Sequence, residues 1–570
     1  MNNQTKCRFW RIGLAPAAAG VVLLAAATGL GLLAAAAPAA SPIYVRTDGD
    51  DVNCDGTNNA AYPGGGPGLQ CAVKTIQTGI GLVDPGGTVI VAGGVYAENV
   101  DIPKDLTLQG TGAGSTIIDA GSVGRGIHVD ASVDTAVSGF TIRNGSAYDG
   151  AGIYVTGSGA FTLTNSTISH NTCSGCSGAG LFLGDGTTAF ISGCSFANNT
   201  SSGGGGAIHS WGSTLTIMGS TFTDNEAIDA GGAIRNGGAS STLTVIESTF
   251  SNNAVTKQEA GWALGGSIRH LQGTLVISNT TITNNTTTWA GGGIALSGGT
   301  ARIVGSAITG NSGINTAACR GGGIYNSAGT LTIEDSVVRD NWVTSTLSSQ
   351  GGGILSDGPT TLNRVTVSGN SSSGYAGGIF SQGALTMTNV TISGNAAFYI
   401  GGLSQTGSAV GTLINCTIVN NTADLFGGGI RVYSTVDLAN TLLANNDHDN
   451  CSIGSSGSLN SSGHNLEDGN SCNLSATGDI TGTDPLVGSL SDLGPSVGAP
   501  SSQERMSLHG FSRYSPAIDN GDDMVSPPTD QRGVARPVDG DGDSTATCDI
   551  GAFEFDLLNA VFLPLTFRVY

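Results

Sequence analysis

Charge is what this sequence has least of. Only 11% of its 570 residues are charged, and 21 Lys+Arg face 42 Asp+Glu, a net charge of −21. So acidic a chain repels phosphate, which excludes general nucleic-acid binding. Low charge beside 39% apolar residues also excludes a disordered acidic polymer. Proline is sparse, 16 residues against 92 glycines, which points to many tight turns between short strands. Beyond residue 40 no apolar run is long enough to span a bilayer as a helix. The lone CxxC, Cys173-Ser-Gly-Cys176, lacks a second CxxC for a metal site and a βαβ context for redox chemistry. A local loop bridge is expected there.

What is present begins with an export signal. Lys6, Arg8 and Arg11 precede an uncharged apolar run from Ile12 to Ala40 that closes on Ala37-Pro38-Ala39. This pattern predicts a secretory signal peptide over residues 1–40, with an uncleaved anchor as the alternative that its length allows. Export permits disulfides among the ten cysteines after Cys7. Cys54 with Cys71 and Cys451 with Cys472 each bracket a Gly/Asn-rich loop outside the repeats, and these are the bridges expected.

The central chain repeats itself. A Gly-Gly-x-Ile signature recurs from Ile153 to Ile430, its ten intervals averaging 27.7 residues. Each copy carries a second apolar position, such as Ile168, Phe196, Phe222 and Phe250, with asparagine three residues later, from Asn171 to Asn446. Such registration requires like positions to stack. Periods of 20–50 residues indicate solenoids or propellers, and alternating runs such as Leu215-Thr216-Ile217 are β rather than helical. Two or three short strands in about 28 residues suit one coil of a β-helix, whereas a propeller blade needs four strands. The asparagine column is read as a turn position that tolerates the left-handed conformation and stacks its amides along the axis. The fold expected is all-β, a right-handed parallel β-helix with a short N-terminal capping helix.

Three resemblances follow from particular motifs. Gly205-Gly206-Ala207-Ile208 and Gly231-Gly232-Ala233-Ile234, with Phe196-Ala-Asn-Asn199 and Phe222-Thr-Asp-Asn225, resemble the repeats of bacterial polymorphic outer-membrane proteins. Those are surface β-helices, several of them adhesins. This chain departs from them in having no run of barrel strands after Phe555. Cys71-Ala-Val-Lys-Thr-Ile-Gln77 and Gly87-Thr-Val-Ile-Val-Ala-Gly-Gly-Val-Tyr96 resemble the entry of pectate-lyase-like β-helices, which implies a helix over the first coil. Ser515-Pro-Ala-Ile-Asp519, Asp530-Gln-Arg-Gly533 and Cys548-Asp-Ile-Gly-Ala-Phe-Glu554 resemble the C-terminal region of bacterial secreted choice-of-anchor Q proteins. That resemblance implies location at the cell surface rather than a chemistry. The organisation expected is a cap and first coils at 41–149, eleven repeats at 150–446, an Asp-rich closing segment at 447–556, and a short apolar tail at 557–570.

Candidate chemistry lies in two places. Asp539-Gly-Asp541-Gly-Asp543 alternates carboxylates as a Ca²⁺ loop does, although Ile550 stands where its bidentate Glu belongs. A structural calcium ion or a solvated acidic turn are the readings, and no other cofactor is expected. The second place is the edge after the asparagine column, where loop lengths vary most and where solenoids commonly bind. Trp262, Trp289, Trp342 and Tyr375 fall on it, and His209, Arg235 and Arg269 form an outward column just beyond. Together they suggest a groove in which aromatic faces stack on sugar rings and cations meet anionic groups. The competing reading has the Trp side chains packed on their own loops and the Arg paired with Glu226, Asp229 or Glu259. A monomeric, secreted or cell-surface, non-catalytic glycan-binding or adhesin-like protein is expected, its partner a glycan or another cell. A polysaccharide lyase or hydrolase, with Lys257, Glu259 and Arg269 as its nearest cluster, is the alternative, and a structural envelope protein the third. Adjacent-coil carboxylate pairs that a glycosidase needs are absent from the repeats, where Asp224 with Asp340 and Glu247 with Asp335 lie coils apart.

Overall fold

The computed structural model describes residues 42–257, 263–498 and 504–557. The leader expected at 1–40, the tail beyond 557, and both Glu259 and Trp262 lie outside the described residues. The coil holding Trp211 shows how one repeat folds. The chain turns at Gly205 (φ 70°), runs through Ile208–Trp211, bends at Gly212, runs through Thr214–Met218 and bends again at Gly219. Strand Thr221–Thr223 follows, then a turn at Asp224 and a last short strand, Glu226–Ala227. Alternation does the sorting. Leu215 and Ile217 point inward while Thr214 and Met218 face water.

Like positions stack in register, Ile208 on Ile234, Leu215 on Leu243 and Phe222 on Phe250. The ladders form a fourteen-stranded sheet from Val100–Ile102 to Cys451–Ile453, an eleven-stranded sheet from Ser146–Ala147 to Thr422–Ala423, and a bent 29-stranded sheet giving most coils two strands. All three are parallel throughout, so the molecule is a right-handed parallel β-helix, as its repeats predict. One apolar cluster runs from Ile43 to Leu474, with Phe196, Phe222 and Phe250 stacked at 4.9 and 4.4 Å.

The asparagine column corrects one expectation. The left-handed residue is the one before each ladder asparagine, from His170 and Asn198 through Gly310 to Asn445, all with φ near 55–65°. The ladder asparagines are instead an inward amide stack. Asn253 Nδ2 donates to Asn285 Oδ1 (2.9 Å) and Asn285 Nδ2 to Asn311 Oδ1 (2.9 Å), and the chain of amides continues from Asn171 to Asn446. Turn geometry and amide stacking are thus divided between neighbours. Asp224, Glu247, Asp335 and Asp340, the carboxylates with shared repeat positions, are all left-handed turn residues.

Both ends are closed. Helix Ile76–Leu82, capped by the Thr75 hydroxyl, buries Ile76, Gly79 and Ile80 over the first strands, beside a Cys54–Cys71 disulfide. At the other end the coils run past 446. Strands Cys451–Ile453, Ser458–Ser461 and Leu466–Glu467 extend the ladders, and Cys472 and Leu474 plug the core, stapled by a Cys451–Cys472 disulfide. Covering the ends removes open strand edges that would otherwise pair with other chains. A third disulfide joins Cys173 and Cys176.

Residues 487–498 and 504–557 then lie back along the flank as a strap. They cover one outward column of the bent sheet, Thr366, Thr391, Thr417 and Leu442, on four successive coils. Thr366 Oγ1 donates to Ser507 O, Thr391 Oγ1 to Gln531 Oε1, and Ala552 N to Thr417 Oγ1. Leu442, Leu508, Phe511 and Phe553 form a second apolar core between strap and sheet. The segment expected to close the solenoid is therefore two things, a last coil with its plug and a lateral strap.

Candidate functional site

The loops after the asparagine ladder and the outward face of the fourteen-stranded sheet meet in a cavity of about 470 Å³. Arg235 and Arg269 reach it from paired positions of adjacent strands. Asp229 and Lys257 enter from the loops, and Trp289 and Tyr325 form its apolar wall, 6.2 Å apart edge to face. The column does point away from the core, but the loops fold over it. Arg269 and His209 are each only 7% exposed.

Among the described residues Lys257, Arg235 and Arg269 stand near two acids, Asp229 and Glu226. Lys257 Nζ binds Asp229 (3.0 Å), and Glu226 accepts from the Thr256 hydroxyl (2.9 Å), so the two described acids near the column are engaged elsewhere. Arg269 donates from Nη2 to Ser297 Oγ. Arg235 Nε and Arg269 Nη1 are buried with no hydrogen-bond partner. Burial pulls the Arg269 guanidinium down to about 10, Arg235 beside it adding to the shift. Burial lowers Arg235 too, with Asp229 opposing. His209 is pushed to about 3 by burial and then by Arg235, so it is neutral at ordinary pH. A buried, unpartnered N–H on each of the half-buried Arg235 and the buried Arg269 is costly, and an anion entering here relieves that cost.

The other expected aromatics are dispersed. Trp289 and Tyr375 pack on the outward face of the fourteen-stranded sheet, against one apolar cluster with Tyr325, Leu355 and Phe380, rather than each on its own loop. Trp342 lies on the eleven-stranded sheet, 36% exposed, away from the cavity. Tyr375 opens a second surface run, stacking on Tyr399 (4.3 Å), which stacks on Phe426 (5.9 Å), with Arg431 over Phe426 (4.8 Å). Tyr325 occupies the same repeat position as Arg235 and Arg269, so its place was legible from the register. Tyr399 and Phe426 were not, because loop positions carry no periodic signal.

Among the described residues no pair of carboxylates converges on the cavity. Asp229 is the carboxylate lining the cavity among the described residues. Asp357, raised by burial and with an unpartnered Oδ1, follows Ile354, four coils beyond the Ile234 coil of Asp229, or about 19 Å along the axis. A glycosidase pair stands within about 9.5 Å.

The acidic turn is also rearranged. Asp539 and Asp541 come together with Asp519, not Asp543, their carboxylate oxygens within 4.8 Å of one another. Asp543 instead accepts from Thr545 N (2.7 Å). Burial raises the Asp519 carboxyl, backbone N–H donors oppose this, and the nearby Asp541 adds to the rise.

The ladders, caps and loop edge define a β-solenoid with a cavity on its lateral face. The chain belongs to the right-handed β-helix family, whose model, described as "Right handed beta helix region", matches residues 125–312 and 272–448, together more than half of the sequence. No curated protein matches it. Among the described residues no helix is long and apolar enough to cross a membrane.

Proposed function

We propose that this is an exported, surface-displayed β-helix protein that binds acidic glycans through the Arg235–Arg269 cavity without cleaving them. The observation that carries this reading is the pair of buried guanidinium nitrogens left without partners beside an aromatic wall. Guanidinium forks match carboxylate and sulfate oxygens, while Trp289 and Tyr325 offer apolar surface to a sugar ring. Export is supported by the leader pattern and by disulfides at both ends, which persist in oxidising compartments. Among the described residues the cavity is lined by one carboxylate, Asp229, rather than by a pair, which favours binding over hydrolysis. One observation favours a lyase, the lowered pKa of Arg269, which brings it closer to a usable base.

Titration with size-defined oligouronates, with product analysis in the same samples, tests the proposal. Arg269→Ala is expected to weaken binding by roughly 10–100-fold, the worth of a charge-assisted hydrogen bond. Unchanged affinity in that variant sinks the binding site, and shortened oligomers with new unsaturated ends would establish the lyase instead.

A structural calcium ion at Asp519, Asp539 and Asp541 belongs to the same proposal, as a stiffener of the strap. Millimolar calcium is expected to raise the Tm of the wild type but not of Asp539→Asn, since ligand binding to the native state stabilises it. Equal melting in calcium and in chelator refutes it.

A further inference from the structure

Next to the basic cavity lies a larger one, about 710 Å³, that no repeat motif announced. Its floor is Trp211, which is 44% exposed although it ends a core strand. The indole lies against the next coil at Gly237. A Cβ built on Gly237 would stand 2.8 and 3.0 Å from two of its ring carbons, so only glycine at 237 lets the ring lie down there. His209, two residues earlier, holds its imidazole 6.2 Å away at a tilt. The exposed part of the indole lines the cavity, whose walls include Asp185, Ala239, Ser240 and Gln272.

Leu271 and Ser297 line both cavities. Ser297 is also the residue that holds the Arg269 guanidinium. The two spaces therefore form one path across the fourteen-stranded sheet. It runs from Asp229 and Ala230, before the strand of Arg235, to Gly238 and Ala239 after it, transverse to the solenoid axis.

The geometry points to Trp211 as a second subsite, which stacks on a neighbouring sugar ring of the acidic chain whose charged group sits at Arg235 and Arg269. This rests on the binding reading above and deepens it, because it makes the ligand a polymer that is recognised over more than one residue. An exposed indole backed by glycine is a rigid apolar plate, and stacking on it costs little ordering. Asp185 and Gln272 supply acceptors and donors at its rim for hydroxyl groups. Asp185 also disfavours a second anionic group there, so a neutral ring face is the match.

The experiment compares the monomer, dimer and longer oligomers of a uronate series, and of an alternating uronate–neutral sugar series, by calorimetry on the full exported chain. For the wild type, affinity is expected to rise with length, more steeply in the alternating series. Trp211→Ala removes about tenfold of the affinity for the longer alternating oligomers and leaves the monomer unchanged. Gly237→Ala, which displaces the indole without deleting it, gives the same pattern, with circular dichroism and Tm checking that both variants fold. Arg269→Ala weakens every length. Binding that needs Arg269 but ignores both Trp211→Ala and Gly237→Ala overturns the second subsite and leaves the anion cavity standing. Wild-type protein that binds no length of either series overturns both.

Discussion

Asn285→Leu is expected to destabilise the solenoid by about 4 kcal/mol, one of the largest single effects in the molecule. Four hydrogen bonds go with that amide. Asn285 Oδ1 accepts from both Asn253 N and Asn253 Nδ2, and its Nδ2 donates to Asn311 Oδ1 and Phe250 O, all within 2.9–3.1 Å. Each buried bond lost costs on the order of 1 kcal/mol, and partners left unsatisfied cost more. The neighbouring asparagine gives the contrast. Asn284 is exposed with φ 55°, so Asn284→Ala should cost only about 1 kcal/mol, the price of a left-handed turn without a tolerant side chain. Native-state hydrogen exchange distinguishes them, with lost protection confined to the coils around 253–311, since repeat stability is a nearest-neighbour sum. Equal effects at 284 and 285 would disprove the division of labour.

Removing Arg536 is expected to release the strap. Its Nη1 and Nη2 donate to Asp549 O (3.1 Å) and Gly551 O (2.8 Å), and its Nε lies 3.4 Å from Glu554 Oε2, an ion pair without a well-formed hydrogen bond. Asp549 and Glu554 are fully buried beside it. Breaking a buried pair from one side costs about 3–5 kcal/mol, so Arg536→Ala should expose the strap's core around Phe511 and Phe553. Two acids share one cation here. Burial, chiefly, raises Glu554 to about 7, with Arg536 opposing, and raises Asp549 well above the usual carboxylate range, with Glu554 adding to the rise. A carboxyl whose folded pKa exceeds its unfolded one favours folding most fully when it is protonated. That contribution is complete below pH 4.5 and is lost as pH rises towards about 7. Strap protection should therefore weaken between those values in the wild type, while Glu554→Gln flattens much of the profile. A strap equally protected across that range would contradict the assignment.

Much of this was legible in the sequence. Stacking in register was plain from the asparagines, because a ladder forces identical side chains to the same place in each coil. The left-handed turns were assigned one residue late, since Asn198-Asn199 or Asn252-Asn253 offers two asparagines and only backbone dihedrals separate them. Local loops bracketed by cysteines announced both end staples. The strap could not be read, because Thr366 meets Ser507 and Thr391 meets Gln531 across more than a hundred residues with no shared period. The motif Asp530-Gln-Arg-Gly533 was visible as a motif, but not as the strap's buried anchor.

The lateral cavity divides in the same way. By itself the sequence determined the parallel β-helix, its outward cationic column and its variable loop edge, since periodic burial is local information repeated eleven times. Only the tertiary structure decided which cations lack partners, that Trp289 turns onto Tyr325, and that Trp211 lies open on Gly237. Pairing and exposure at those positions depend on neighbouring coils and on loops of unequal length, and neither obeys the repeat.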